Sequence, residues 1–142
     1  MTSPANKNLI LFPHGGPHSV LINQYQEKFH AYVKLGYDIV CVNYRGSIGY
    51  GYDYVRQLPG HIGTKDRLDC LAALDYAKAK KEYSNLFVFG GSHGGFLTCW
   101  ITASRPFAAC AIRNPVVNLN SMYAVTDIPG KLLTNQPIDI NH

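Results

Sequence analysis

Leu86-Phe87-Val88-Phe89-Gly90-Gly91-Ser92-His93-Gly94-Gly95-Phe96 decides the fold of this chain. Four consecutive apolar residues without polar alternation suit a strand covered on both faces, as in parallel sheets. After the glycines, Phe96, Leu97, Cys99, Trp100, Ile101 and Ala103 continue as an apolar helix that Arg105-Pro106 stops. A strand, a Gly-x-Ser-x-Gly turn and a helix together form the context of a nucleophile elbow, where the chain turns so tightly that side chains two positions either side of the serine would clash. Ser92 is then expected at the C-terminal edge of the sheet, beside helix-start N–H groups that favour an anion. A phosphate-binding loop fits less well, since no window reads Gly-x-Gly-x-x-Gly and Phe96 stands where a P-loop needs Lys. A purely structural turn stays open.

Working outward, Leu9-Ile10-Leu11-Phe12 is a short apolar run that Pro13-His14-Gly15-Gly16-Pro17 converts into a loop, giving a buried strand. Tyr25, Phe29, Tyr32, Val33 and Leu35 recur at near-helical spacing, predicting a helix over Gln24 to Leu35 with Gly36 as its C-cap. Tyr37 to Tyr44 carries Ile39, Val40, Cys41 and Val42 and reads as a second buried strand, followed by an irregular loop from Arg45 to Gly51. Thr64 is placed to cap a helix to about Lys80, with Cys70, Leu71, Leu74 and Ala77 as its apolar stripe and Asp66, Arg67, Asp69 and Lys78 in water. Ala108 to Ile112 reads as a fourth strand, and the remainder as an irregular tail. The alternation β-α-β-α-β-α-β predicts an α/β fold, a parallel sheet with helices on both faces.

The chain has 142 residues, enough for one compact domain and too few for two of ordinary size. Hydrophobic residues make up 46% against 15% charged, which excludes a disordered, charge-dominated chain. The net charge of +4 is spread along the sequence, so no nucleic-acid partner is expected. No apolar stretch approaches the roughly 20 residues that span a bilayer, so no membrane segment is expected. The first eight residues carry no secretory pattern, which makes a cytoplasmic location the expectation. Cys41, Cys70, Cys99 and Cys110 form no C-x-x-C pair, and each sits in an apolar segment, predicting reduced, buried thiols.

A second element sharpens the reading of Ser92. Acyl-transfer enzymes with such elbows draw an oxyanion donor from the loop after an upstream strand, and His14-Gly15-Gly16-Pro17 occupies that place. The Gly16 N–H is expected to pair with that of His93, the residue after the serine. His14 and His18 are four apart, but Gly15, Gly16 and Pro17 prevent a helix presenting both, so no metal site is expected. His93 contributes through its backbone rather than its ring, and His30 and His61 carry no pattern.

With these elements placed, the chain resembles the α/β-hydrolase domain of the prolyl oligopeptidase family, and within it the acylaminoacyl-peptidase branch. The matching segments are Phe12-Pro13-His14-Gly15-Gly16-Pro17-His18, Val42-Asn43-Tyr44-Arg45-Gly46-Ser47, Leu58-Pro59-Gly60, Gly90 to Phe96, Arg113-Asn114-Pro115-Val116 and Thr126-Asp127-Ile128-Pro129. They span about residues 9 to 129. The resemblance implies a serine hydrolase that removes an N-acylated, typically N-acetylated, amino acid from the N-terminus of short peptides. Ser92 would be its nucleophile and Gly16 and His93 its oxyanion-hole positions. It further implies a cytosolic enzyme without cofactor or metal that commonly forms homo-oligomers.

The sequence also departs from that pattern. Hydrolases of this fold place the triad in the order Ser, Asp, His, on loops after later strands, and 50 residues follow Ser92. Asp127 belongs to a loop before the strand that would carry the acid, while Asp139 and His142 lie three apart on a polar tail. The triad Asp and His are therefore expected to be missing, residues 130 to 142 to be a divergent irregular ending, and the whole to be a single partial domain truncated before the later strands, without the family's N-terminal β-propeller. Strands in the order second, first, third, fourth would leave two unpaired edges open to another chain. Two other readings follow: an inactive fragment serving as a binding or interaction module, and a broader carboxylesterase-like hydrolase.

Overall fold

The computed structural model describes residues 6–125. Four parallel strands, β1 (Asn8–Pro13), β2 (Tyr37–Val42), β3 (Asn85–Gly91) and β4 (Ala109–Arg113), form one sheet in the order β2-β1-β3-β4. The helices are α1 (Glu27–Lys34), α2 (Tyr52–Arg56), α3 (Lys65–Lys80), α4 (His93–Ser104) and α5 (Leu119–Val125). The expected α/β architecture and strand order are both present.

The period of a strand divides the core in two. Leu9 and Leu11 of β1 face α3 and α4, where they pack with Val42, Tyr44, Cys70, Leu74, Val88, Leu97 and Ile101. Ile10 and Phe12 point the other way, joining Ile39 and Phe29 of α1. The Phe12 ring meets Phe29 edge-on at 5.0 Å between centroids. Because β1 is central and buried on both faces, its run shows no polar alternation.

Several expectations require correction. Helix α1 begins at Glu27 rather than Gln24, because Gln26 is extended and Gln24 N–H turns back to the Ile22 carbonyl. Thr64 precedes α3, but its side chain makes no capping bond. Asp66, assigned to water, is fully buried. Cys41 and Cys110 are exposed because they lie on the two edge strands, although all four cysteines are free thiols and Cys70 is buried. The expected fourth strand is present as β4, exposed throughout at the edge of the sheet. Helices α2 and α5 were not expected. Asp127, Asp139, His142 and the ending from 130 onward lie outside the described residues, and among those described no helix is long and apolar enough to cross a membrane.

The N-terminal edge of the sheet is tied by Asp38, whose carboxylate is removed from solvent. It accepts bonds from Asn6 Nδ2 at 3.0 Å, Lys81 Nζ at 2.8 Å and the Tyr83 hydroxyl at 2.9 Å. Burial, together with donation to this carboxylate, pushes the Tyr83 phenol up to about 12. The cluster joins β2 to the segment between α3 and β3. Lys81→Met removes a cation from a buried carboxylate and is expected to lower stability by about 3 kcal/mol. Tyr83→Phe, which removes one bond to a charged group, is expected to cost about 1.5–3 kcal/mol, and urea unfolding of the two variants checks both values.

Candidate active site

The site is built where β3 turns into α4. Ser92 has φ 56° and ψ −123°, on the positive-φ side that side-chain-bearing residues rarely adopt and that costs about 1–3 kcal/mol to hold. Backbone bonds hold it there. Ser92 N–H donates to the Arg113 carbonyl at 3.0 Å, and the Ser92 carbonyl accepts from Phe96 N–H at 3.0 Å and Val116 N–H at 3.4 Å. The end of β4 and the Arg113-Asn114-Pro115-Val116 segment thus clamp the turn, and Asn114 itself takes φ 37°.

The flanking glycines are required by contact. A Cβ on Gly94 would collide with the Pro13 carbonyl oxygen and lie 2.9 Å from that of His14. One on Gly90 would collide with the Gly94 carbonyl and lie 2.7 Å from Thr98 Oγ1. These distances are closer than real Cβ atoms come, so the α4 start can sit against the end of β1 only without side chains.

That approach brings the two predicted segments together. A Cβ on Gly15 would stand 3.2 Å from Ser92 Cβ and 2.8 Å from the Gly91 carbonyl oxygen, so the loop after β1 lies directly against the serine turn. Gly16 follows with φ 57°. The loop is held from below by Tyr44, whose hydroxyl donates to the His14 carbonyl at 2.8 Å and whose ring stacks on the His14 imidazole at 4.4 Å. Ser47 Oγ lies 2.9 Å from His14 Nε2 and donates to the Tyr44 carbonyl at 2.7 Å. Burial pushes the Tyr44 phenol far above its ordinary value, which keeps it a neutral donor. The Arg45–Gly46–Ser47 loop is fixed in turn by Asp69, which bonds the Arg45 backbone N–H at 2.7 Å and its guanidinium, and by Leu58, which covers Gly46 so closely that a Cβ there would overlap it.

Of the sequence-derived site residues, Ser92, Gly16 and His93 all lie at this junction of β1, β3 and α4. His14 and His18 do not form a pair: His14 faces Tyr44 and Ser47, while His18 Nδ1 lies 2.8 Å from the Gly46 carbonyl. Among the described residues no group of three or more His, Cys, Asp or Glu could hold a metal ion. A separate groove of 860 Å³ opens beside β2 between α1 and α3, lined in part by Phe29, Ile39, Cys41, Tyr76 and Tyr83, and Ser92 is not among its walls.

Three contributors escape the sequence reading. Tyr44 and Ser47 were quoted as motif letters without a structural role. Asp66 is assigned by pattern to a wet face, whereas its Oδ2 lies 2.9 Å from His93 Nε2 in an almost solvent-free contact, so the His93 ring, expected to carry no role, is engaged. The signal for Asp66 was absent, because an acidic residue in the first turn of a helix is equally explained by the helix dipole.

Burial holds the His14 imidazole below its ordinary 6.5, the Gly15 carbonyl partly opposing it and the neighbouring His93 adding to it, and burial does the same for His18. As pH falls through 6.5 the unfolded chain binds these protons before the folded one does. Folded stability is therefore expected to decline from pH 7.5 toward 5, and His14→Gln to flatten part of that slope in thermal melts. Gly94→Ala, which has no room to relax against backbone, is expected to destabilise by about 4 kcal/mol or more in urea unfolding.

Residues 23–140 match the prolyl oligopeptidase family, a match that runs past Pro129, where the motif resemblance ended. The acylamino-acid-releasing enzyme of Arabidopsis thaliana is 46% identical over 125 residues, 85% of this chain and 16% of that protein. The human acylamino-acid-releasing enzyme is 38% identical over 134 residues, 89% of this chain and 18% of its own length. The chain thus spans less than a fifth of these relatives. Among solved structures, an acylaminoacyl peptidase of Pyrococcus horikoshii superposes with a TM-score of 0.82 at 26% identity, covering 87% of this chain and 21% of that one. A puromycin-hydrolyzing peptidase of Mycobacterium tuberculosis gives 0.80 at 27% identity over 85% of this chain and 19% of its own. With the match covering most of its length, the chain belongs to the prolyl oligopeptidase family, whose matched members here are serine peptidases that include acylaminoacyl peptidases.

Proposed function

We propose that this segment carries the nucleophile and the oxyanion hole of a serine hydrolase that releases an N-acylated amino acid from the N-terminus of short peptides. Ser92 Oγ attacks the carbonyl carbon of the first residue, and its proton passes to a base. The tetrahedral oxyanion is received by the N–H groups of Gly16 and His93. The C–N bond then breaks, the peptide leaves as a protonated amine, and water hydrolyses the acyl ester on Ser92. The observation that supports this best is the contact of the Gly15–Gly16 loop against the Ser92 turn, whose backbone is held at positive φ. The N-acylated substrate is carried over from the names of the acylamino-acid-releasing relatives.

The base is the open element. His93 Nε2 is engaged by Asp66, His14 lies between Gly15 and Ser47, and His18 is turned to Gly46. None of these three rings is bonded to Ser92, and on this reading the proton acceptor is supplied from outside residues 6–125 or by another chain. The same observation favours a second reading, a binding module that holds peptides without hydrolysing them, since a serine hydroxyl without its imidazole is a weak nucleophile at neutral pH.

Labelling the purified 142-residue chain with a serine-reactive fluorophosphonate separates the two. Labelling lost in Ser92→Ala, together with release of acetyl-alanine from an N-acetylated alanyl peptide, is the expected outcome for the hydrolase. A folded chain that neither labels nor turns over leaves the binding module.

A further inference from the structure

Asp66 lies in the first turn of α3, where a carboxylate facing water would already satisfy the helix dipole. Instead it is fully buried. Its two bonds run from Arg67 N–H to Oδ1 and from His93 Nε2–H to Oδ2, each 2.9 Å. A buried carboxylate gives up strong hydration, so a site with an exposed alternative so close needs a partner that rewards burial. That partner is the residue immediately after the strained Ser92. The His93 ring is further enclosed by Tyr44, 5.8 Å between centroids, and by Phe96 at 5.4 Å. Tyr44 is the same ring that supports the His14 carbonyl.

The peptide unit between Ser92 and His93 holds the Ser92 carbonyl and the His93 N–H. Phe96 N–H and Val116 N–H fix the carbonyl. On its other side the unit continues into the His93 Cα, and among the described residues the side chain is anchored by Asp66. Since the peptide is planar, fixing both ends sets the direction in which the His93 N–H points.

We propose that Asp66 is a positioning residue for the oxyanion hole, holding the His93 ring and through it aiming the His93 N–H. The assignment rests on the reading of that N–H as an oxyanion donor. Asp66 acts across two helices, from α3 to the first residue of α4, and so couples the packing of these helices to the geometry at Ser92. A bond made through a ring rather than to the substrate affects the rate of bond formation at Ser92 and leaves binding of the remainder of the substrate alone.

The test is a mutant cycle on the 142-residue chain, comprising Asp66→Ala, His93→Leu and the double variant, with Asp66→Asn as the conservative replacement that keeps an acceptor oxygen. Two readouts are taken: amide hydrogen exchange by NMR at His93 and along β1 and β2, and saturation kinetics of fluorophosphonate reaction at Ser92. Exchange at the position-93 N–H, taken relative to the intrinsic rate of the residue there, is expected to rise about 10-fold or more in each single variant while the strand amides hold. The double variant should be no worse than either single one, and Asp66→Asn should recover most of the loss. The maximal rate of phosphonylation should fall by about 10-fold, less than the roughly 10²–10³ for outright loss of a donor, at an unchanged half-saturating concentration. Parent-like exchange at His93, exchange that rises equally along the strands, or additive effects would each overturn the assignment. If Asp66→Ala does not fold, His93→Leu decides the same question, with no change at the position-93 amide refuting the assignment. A parent chain that does not react with the probe defeats the nucleophile reading alone, since hydrogen exchange still tests what Asp66 holds.

Discussion

The first turn of α4 lies so close to the carbonyl oxygens of Pro13 and His14 that no side-chain carbon fits at Gly94, and the position of the site depends on that approach. It requires the central strand to end in proline, which withdraws an N–H from the ladder and frees the chain to turn. It also requires the third strand to pass into helix within one residue, which forces Ser92 to positive φ. A bulkier turn would hold α4 off the sheet and separate Ser92 from the glycine loop. The strain at Ser92 is thus a consequence of packing, met by the bonds from β4 and the following segment and by the burial of Leu97 and Ile101 beneath it.

Around this contact the polar groups form two tiers. Tyr44, Ser47 and His14 support the loop from the β2 side, and Asp66 supports the serine turn from the α3 side. Tyr44 touches both, donating to the His14 carbonyl and packing near His93. Neutral groups predominate in the first tier: burial lowers the His14 imidazole and raises the Tyr44 phenol, so each holds its uncharged form near neutral pH.

Much of this was legible in the sequence, for identifiable reasons. The strands β1 and β3 are central, and burial on both faces left continuous apolar runs that no other element of that length explains. The order of elements fixed the crossover sense and, with it, the parallel sheet. The glycine pattern around Ser92 was readable because a missing Cβ is a direct record of close approach. Edge elements were less legible: β2 and β4 carry apolar residues, yet Cys41 and Cys110 are exposed because nothing described pairs beyond them. Short helices such as Tyr52–Arg56 and Leu119–Val125 contain too few turns to develop a period.

Asp66 shows where pattern reading fails in principle. Amphipathic logic assigns each helical position by the average preference of its residue type, and an aspartate among Arg67, Asp69 and Lys78 averages to the wet face. What reverses the assignment is a single partner 27 positions away, His93, whose ring enters the interior because the serine turn directs it there. The burial of one charge therefore follows from the backbone path of another element. Local sequence cannot encode that path, but the path itself follows from the glycine contact at Gly94. The dependence runs from steric approach, to turn geometry, to the placement of His93, and only then to the carboxylate that meets it.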